Sequence, residues 1–226
     1  MQSSNKKEHI VIVDDHPVVL DGIKLLLHDI RPDAELTAVS NGADACAVFD
    51  SAKFVDWLFV DLNLPDINGL ELVKKIKQEQ AERRNNDTFN CKVVVLSSEL
   101  DAQTIDQALS QGVNGVLSKA ATAVMYEDCL MTIDLARLYL SQKHTSQLKY
   151  YRDGLMLELK NIKQGLSGRM FETLVMLSNG YSNKTISQKM GISENTVKSH
   201  VSSLMSLFNA KNHTYCVTQA RELKII

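Results

Sequence analysis

Hydrophobic positions run through this chain in two rhythms. In the first 140 residues, short continuous apolar runs, Ile10 to Val13, Trp57 to Val60 and Val93 to Leu96, alternate with stretches whose apolar residues recur at helical spacing. Runs that are apolar at every position mark strands buried on both faces, because a parallel sheet covered by helices has no wet side. Leu36 to Val39 and Gly115 to Leu117 supply two weaker strands. Val19, Ile23, Leu26 and Ile30 recur at helical spacing, as do Val124, Met131, Leu135 and Leu138, and both sets predict helices laid on the sheet. The alternation predicts an α/β fold, a doubly wound five-stranded parallel sheet with five helices and the strand order 2-1-3-4-5. The polar, Asn-rich stretch from Glu79 to Asn90 reads as a long surface loop or an extended helix end.

The rhythm changes after residue 140. Residues 141–165 have mixed helical periodicity and begin no new core, so they read as a partly helical linker. Residues 166–226 hold no convincing strand and read as a small all-α domain. Leu166, Met170, Leu174 and Leu177 form a stripe that ends at Asn179-Gly180, a favourable helix stop. Ser182 caps a short helix carrying Ile186 and Met190, which ends at Gly191. Ser193 then caps a third helix, Glu194 complements its dipole, and Val197, Val201, Leu204 and Phe208 share one face. Helix, tight glycine turn, helix is the layout of a helix-turn-helix. The expected division is therefore 1–140, a linker at 141–165, and 166–226.

Charge separates the same segments. The net charge of −2 divides into −9 over residues 1–140, +3 over 141–165 and +4 over 166–226. An acidic front fits a cation or phosphodonor, and a basic back fits a polyanion. Cys46, Cys91, Cys129 and Cys216 lie far apart at no metal-binding spacing, so they read as reduced thiols. The N-terminus runs straight into a strand, and no apolar run approaches the roughly 20 residues that span a bilayer. A cytoplasmic protein with no membrane partner is expected.

The acidic front has a focus. Asp14 and Asp15 end the first buried strand, Asp61 ends the third, and Ser97 follows the fourth. In an open doubly wound sheet, ligands sit beyond the carboxyl ends of the strands where the strand order reverses. The three aspartates are expected to meet there. Carboxylates that close repel one another unless a divalent cation neutralises them, and an oxygen ligand set suits Mg²⁺.

Over roughly residues 8–140 the chain resembles the receiver family of two-component systems. The resemblance rests on Asp14-Asp15, the run Val60-Asp61-Leu62-Asn63-Leu64-Pro65-Asp66-Ile67-Asn68-Gly69, Ser97 after strand four and Lys119 after strand five. It implies that Asp61 is the phosphoacceptor, and that Asp15, Asp14 through water, Asp61 and the Asn63 backbone carbonyl hold the metal. It also implies that Ser97 hydrogen-bonds the phosphoryl group and Lys119 pairs with it. Where many receivers carry an aromatic in strand five, this chain has Val116. Asn63 and Glu99 stand where they can hydrogen-bond a hydrolytic water, which predicts a short-lived phosphoaspartate. No enzymatic activity beyond self-catalysed phosphoryl acceptance and autodephosphorylation is expected.

Gly180 to Ser187 and Met190 to Val201 resemble the NarL/LuxR-type helix-turn-helix, over about residues 166–222. Opposite the apolar stripe of the third helix lie Asn195, Lys198, Ser199 and Ser202, a face able to reach base edges and phosphates. The resemblance implies that Lys198, Ser199 and Ser202 face bases and that Lys184, Thr196 and His200 contact the backbone of double-stranded promoter DNA. Ser202 stands where some relatives have a basic residue, and Gly168-Arg169-Met170 replaces the commoner Pro-Arg-Glu. The final helix, Tyr215 to Leu223, is implied as a homodimer surface. Together these features resemble a NarL/FixJ-type response regulator, with a sensor histidine kinase or phosphotransfer protein upstream. The alternatives are an atypical regulator that works independently of phosphorylation and a regulator acting through protein partners. A haloacid-dehalogenase-type phosphatase would need an aspartate where this chain has Asn63.

Overall fold

A computed structural model describes residues 7–52, 54–83, 90–98 and 100–226. It contains two compact units, divided between Tyr151 and Arg152, each described by itself below.

The first unit is a parallel sheet of β1 (His9–Val13), β2 (Glu35–Val39), β3 (Trp57–Asp61), β4 (Lys92–Ser97), β5 (Gly115–Ser118) and β6 (Tyr139–Leu140), interleaved with α1 (Pro17–Ile30), α2 (Gly42–Ser51), α3 (Gly69–Arg83), α4 (Ala102–Ser110) and α5 (Ala123–Asp134). The strand order is β2-β1-β3-β4-β5-β6. The sheet thus has six strands rather than the expected five. Tyr139 and Leu140 pair with Gly115 and Val116 at the β5 edge, and two residues are too few to show a period in sequence.

The continuous apolar runs are explained by two cores. Val11, Val13, Leu58, Val60, Val93 and Val95 face one side, with Phe49 of α2 and Leu72, Val73 and Ile76 of α3. Ile10, Ile12, Trp57, Phe59, Val94 and Leu96 face the other, with Ile23 and Leu27 of α1 and Tyr126, Cys129, Leu130 and Ile133 of α5. Neighbouring residues point to opposite faces, so each run buries both sets.

One expected stripe is not the buried face of a helix: Val124 and Met131 lie on the outer side of α5, and Leu135 and Leu138 lie beyond its last residue, Asp134. Val124, Met131, Leu135 and Leu138 are exposed, and α5 covers the sheet through Tyr126, Cys129, Leu130 and Ile133 instead. Both sets recur at helical spacing, so periodicity alone does not choose between them. The choice falls to the set carrying Tyr126, whose ring packs 6.1 Å from that of Phe59. The stretch 79–90 is helical up to Arg83, and residues 84–89 lie outside the described residues.

The residues beyond β6 form α6 (Gln142–Gly165), a single helix within which the boundary between the units falls. The second unit continues with α7 (Gly168–Ser178), α8 (Asn183–Met190), α9 (Glu194–Leu207) and α10 (His213–Glu222). Ser167, Ser182, Ser193 and Asn212 each cap the helix that follows, accepting a backbone N–H three residues on. Gly191 stops α8 at φ 67°, a left-handed conformation that favours glycine. Leu174, Leu204, Phe208, Cys216 and Ala220 close one small core; Ile186, Met190 and Val197 close another around the α8–α9 turn.

The loop after β3 is held from two sides. The Asp66 carboxylate accepts the Gly42 and Ala43 N–H groups, both at 2.9 Å, at the start of α2. The Gly42 bond, joined by that from Ala43, holds the Asp66 carboxyl below the usual carboxylate range. At the other end Gly69 donates its N–H to Leu62 O at 2.8 Å. A Cβ on Gly69 would lie 2.1 Å from Asp61 O and 2.9 Å from Leu62 Cα. Those atoms are backbone and cannot rotate away. Gly69→Ala is therefore expected to destabilise the protein by about 2 kcal/mol or more, measured by urea denaturation. A loss below about 0.5 kcal/mol would show that the loop is free to shift.

Candidate functional site

Parallel pairing brings the carboxyl ends of the central strands to one edge. β1 lies between β2 and β3, and the sequence order reverses there, which opens a crevice above the strand ends. Asp14 directly follows β1, and its N–H bonds to Val39 O at 3.2 Å. Asp61 closes β3. Ser97 closes β4. Lys119, just past β5, donates its backbone N–H to Ser97 O at 3.0 Å. Asp61 and Ser97 are thus held on strands, and Asp14 and Lys119 on the residues directly after strands, each fastened to a neighbouring strand by its backbone N–H.

Asp14, Asp61 and Ser97 are buried. Lys119 joins the acidic pair, its Nζ lying 2.7 Å from Asp14 Oδ2 and 2.8 Å from Asp61 Oδ2. Burial by itself would lower the Lys119 ammonium, but its hydrogen bonds to Asp14 and Asp61, and their charges, outweigh that and hold it above the ordinary lysine value. The lysine stays charged at neutral pH. Asp15 and His16 are exposed and sit beside the buried pair, and ligand atoms of Asp14, Asp15, His16 and Asp61 all lie within 4.8 Å of one another. His16 is the site residue that sequence reasoning missed.

Asn63 pairs with Asn68 in an isolated antiparallel bridge, which steadies the backbone two residues beyond Asp61. Glu99, the other residue expected near a hydrolytic water, lies outside the described residues. On the far side of Ser97 lies a cavity of about 660 Å³, lined by Ser97, Ser98 and Asp101 and by Ser141, His144 and Gln147 from the start of α6. Val116, where the sequence lacks an aromatic, also lines it.

In the second unit, α9 turns Val197 and Leu204 inward and leaves Asn195, Thr196, Lys198, Ser199 and Ser202 exposed. Lys184 on α8 is exposed as well, whereas His200 is half-buried. The Thr196 hydroxyl lies 2.8 Å from Ser193 Oγ and takes part in the cap. Lys198 Nζ lies 3.7 Å from a Glu194 carboxylate oxygen one turn back, a surface pair worth a few tenths of a kcal/mol that a stronger anion can displace.

Lys119 is the charge that lets Asp14 and Asp61 share a buried pocket. Replacing it by an uncharged chain leaves two carboxylates uncompensated. In metal-free buffer, Lys119→Met is expected to lower stability by about 3 kcal/mol in urea denaturation at pH 7. A change under about 1 kcal/mol would show that solvent already carries the balance.

Comparison with known proteins agrees with this geometry. The family described as the response regulator receiver domain matches residues 10–126, and the luxR family of bacterial regulatory proteins matches residues 164–220. The chain is 27% identical to the transcriptional regulatory protein DegU of Brevibacillus brevis, over 97% of this chain and 95% of that one. It is equally 27% identical to the nitrate/nitrite response regulator NarL of Escherichia coli K12, over 99% of each. Among solved structures, RcsB of Salmonella typhimurium shares the fold, with a TM-score of 0.57 at 19% identity over 97% of this chain and 99% of that one. A structure of RcsB dimers bound to DNA gives 0.55 at 18% identity, over 96% and 98%. With a receiver domain in front and a LuxR-type DNA-binding domain behind, the chain belongs to the NarL/FixJ family of response regulators, proteins that regulate transcription.

Proposed function

We propose that this protein is phosphorylated on Asp61 by a partner histidine kinase or phosphotransfer protein, and that phosphorylation controls dimerisation and sequence-specific binding to promoter DNA. The observation that carries the reading is the lysine shared between Asp14 and Asp61 at the strand ends. Residues 1–140 are the receiver, 141–165 the linker and 166–226 the DNA-binding domain, working in the cytoplasm. Among the described residues no helix is long and apolar enough to cross a membrane.

The donor set fits a hard divalent cation. Asp15, Asp61, the Asn63 carbonyl and, through water, Asp14 would hold Mg²⁺, which when bound neutralises the phosphoryl oxygens. The chain's own residues do the rest. An Asp61 carboxylate oxygen forms the bond to phosphorus as the donor's bond breaks and the donor leaves with the electron pair. Lys119 moves its charge from the two carboxylates to the transferred group, and the Ser97 hydroxyl donates to a phosphoryl oxygen. Catalysis is positioning and electrostatics, with no enzyme turnover on an outside substrate.

Ser97 and the first turns of α6 line the same cavity, which supports a route by which events at the phosphoryl group reach the linker. Lys198, Ser199 and Ser202 would read bases, with Lys184, Thr196 and His200 at phosphates. One domain at +4 binds weakly, so two linked half-sites are needed. Tyr215 on α10 is exposed and fits the dimer surface there. RcsB has been seen as dimers on DNA, in keeping with that assembly.

The test compares wild type and Asp61→Asn, with and without acetyl phosphate and Mg²⁺, by gel filtration and by shift of genomic DNA fragments. A phosphodonor-dependent dimer that binds DNA, absent in Asp61→Asn, is expected. Equal DNA binding in all four samples would overturn the switch and favour the phosphorylation-independent alternative. Separately, Lys198→Ala is expected to weaken binding and reduce the slope of log affinity against log salt by about 1. An unchanged slope in a salt titration would remove Lys198 from the phosphate contacts.

A further inference from the structure

We propose that His16 is a nitrogen ligand of the cation in the acidic pocket, so that the site prefers a divalent transition-metal ion of the Mn²⁺ class over Mg²⁺. This rests on the reading that the pocket binds a divalent cation, and it names which one.

The argument begins with Pro17. A proline disfavours helical backbone in the residue before it, and His16 is extended at φ −100°, ψ 109° just ahead of α1. Its backbone N–H donates to Asp14 Oδ1 at 2.9 Å, which fastens the peptide to the buried carboxylate. The ring is thereby folded back over the strand end. Nδ1 lies 2.7 Å from Asp15 Oδ1 and 3.1 Å from Asp14 Oδ1. The imidazole makes no capping bond to α1, so the helix start does not account for its position.

The spacing is that of one coordination shell. Ligand atoms of Asp14, Asp15, His16 and Asp61 lie within 4.8 Å of one another. Opposite ligands around a small divalent ion, at about 2.1 Å each, stand roughly 4.2 Å apart. Three carboxylates already overload the pocket with negative charge, and Lys119 offsets part of it. A neutral imidazole adds a donor without adding charge. It also changes the metal. Mg²⁺ takes oxygen ligands and keeps its waters, whereas imidazole nitrogen favours first-row transition ions, in affinities that rise from Mn²⁺ through Co²⁺ to Ni²⁺.

The experiment uses the full chain with any affinity tag removed. Mn²⁺ is added at substoichiometric level, and pulsed electron paramagnetic resonance reads nitrogen coupling to the bound ion. Competition with Mg²⁺ gives the preference, in wild type and in His16→Ala. The expected result is a nitrogen coupling in wild type that disappears in His16→Ala, with the Mn²⁺-over-Mg²⁺ preference falling about tenfold or more. Mn²⁺ bound without nitrogen coupling in wild type would overturn the proposal and leave the cation site standing. Coupling that persists in His16→Ala would overturn the assignment to this residue. No bound Mn²⁺ at all would overturn both the proposal and the cation-binding reading. The wild-type spectrum alone decides if the variant fails to fold.

Discussion

Two buried carboxylates held by one lysine form the interaction on which this protein turns. Asp14 and Asp61 sit at the ends of adjacent strands, out of water, and Lys119 is the cationic side chain shared between them. Such a pocket is electrostatically unfinished. It holds more negative charge than it can neutralise, which is the condition under which a cation and then a phosphoryl group bind with gain. The sheet exists, in this sense, to impose that proximity: parallel pairing through two hydrophobic faces fixes the strand ends to within a register, and repulsion between the acids is outweighed by the cores beneath them.

The surroundings serve the same constraint. Gly69 lets α3 begin directly over the Asp61 carbonyl, and Asp66 anchors the intervening loop to the start of α2. Pro17 and Asp14 together place His16. On the other side of Ser97 lies a cavity shared with the first turns of α6, with Val116 in its wall. In the second unit the logic is simpler. Serine caps and a left-handed glycine set the α8–α9 turn, and a small core turns the polar face of α9 outward.

Much of this was legible in the residues, because the strongest signals are local. Runs buried on both faces announced β1, β3 and β4; aspartates at their ends announced the pocket; Ser-capped, Gly-stopped periodic stretches announced the three helices α7, α8 and α9. What was illegible depends on tertiary choice. Both faces of α5 are apolar, so the sequence did not reveal that Val124 and Met131 would be the exposed set. A strand as short as Tyr139–Leu140 has no period to detect and exists only because β5 offers a free edge. The linker's mixed periodicity concealed a single helix, α6, whose buried residues are spread between the two units, as at Leu148 and Ile162. His16 was overlooked because an exposed histidine in a turn has no distinctive pattern, and only the fold-back over Asp14 and Asp15 gives it meaning.

The central claim is that Asp61 accepts a phosphoryl group because Lys119 and a cation complete its pocket. The most direct measurement is intact mass with peptide mapping after brief exposure of the full chain to acetyl phosphate and Mg²⁺. The account predicts one added phosphoryl group, labile to hydroxylamine, mapped to Asp61 and strongly reduced in Lys119→Met. A chain that gains no phosphoryl group, or gains it at another residue with Asp61 unmodified, would contradict it.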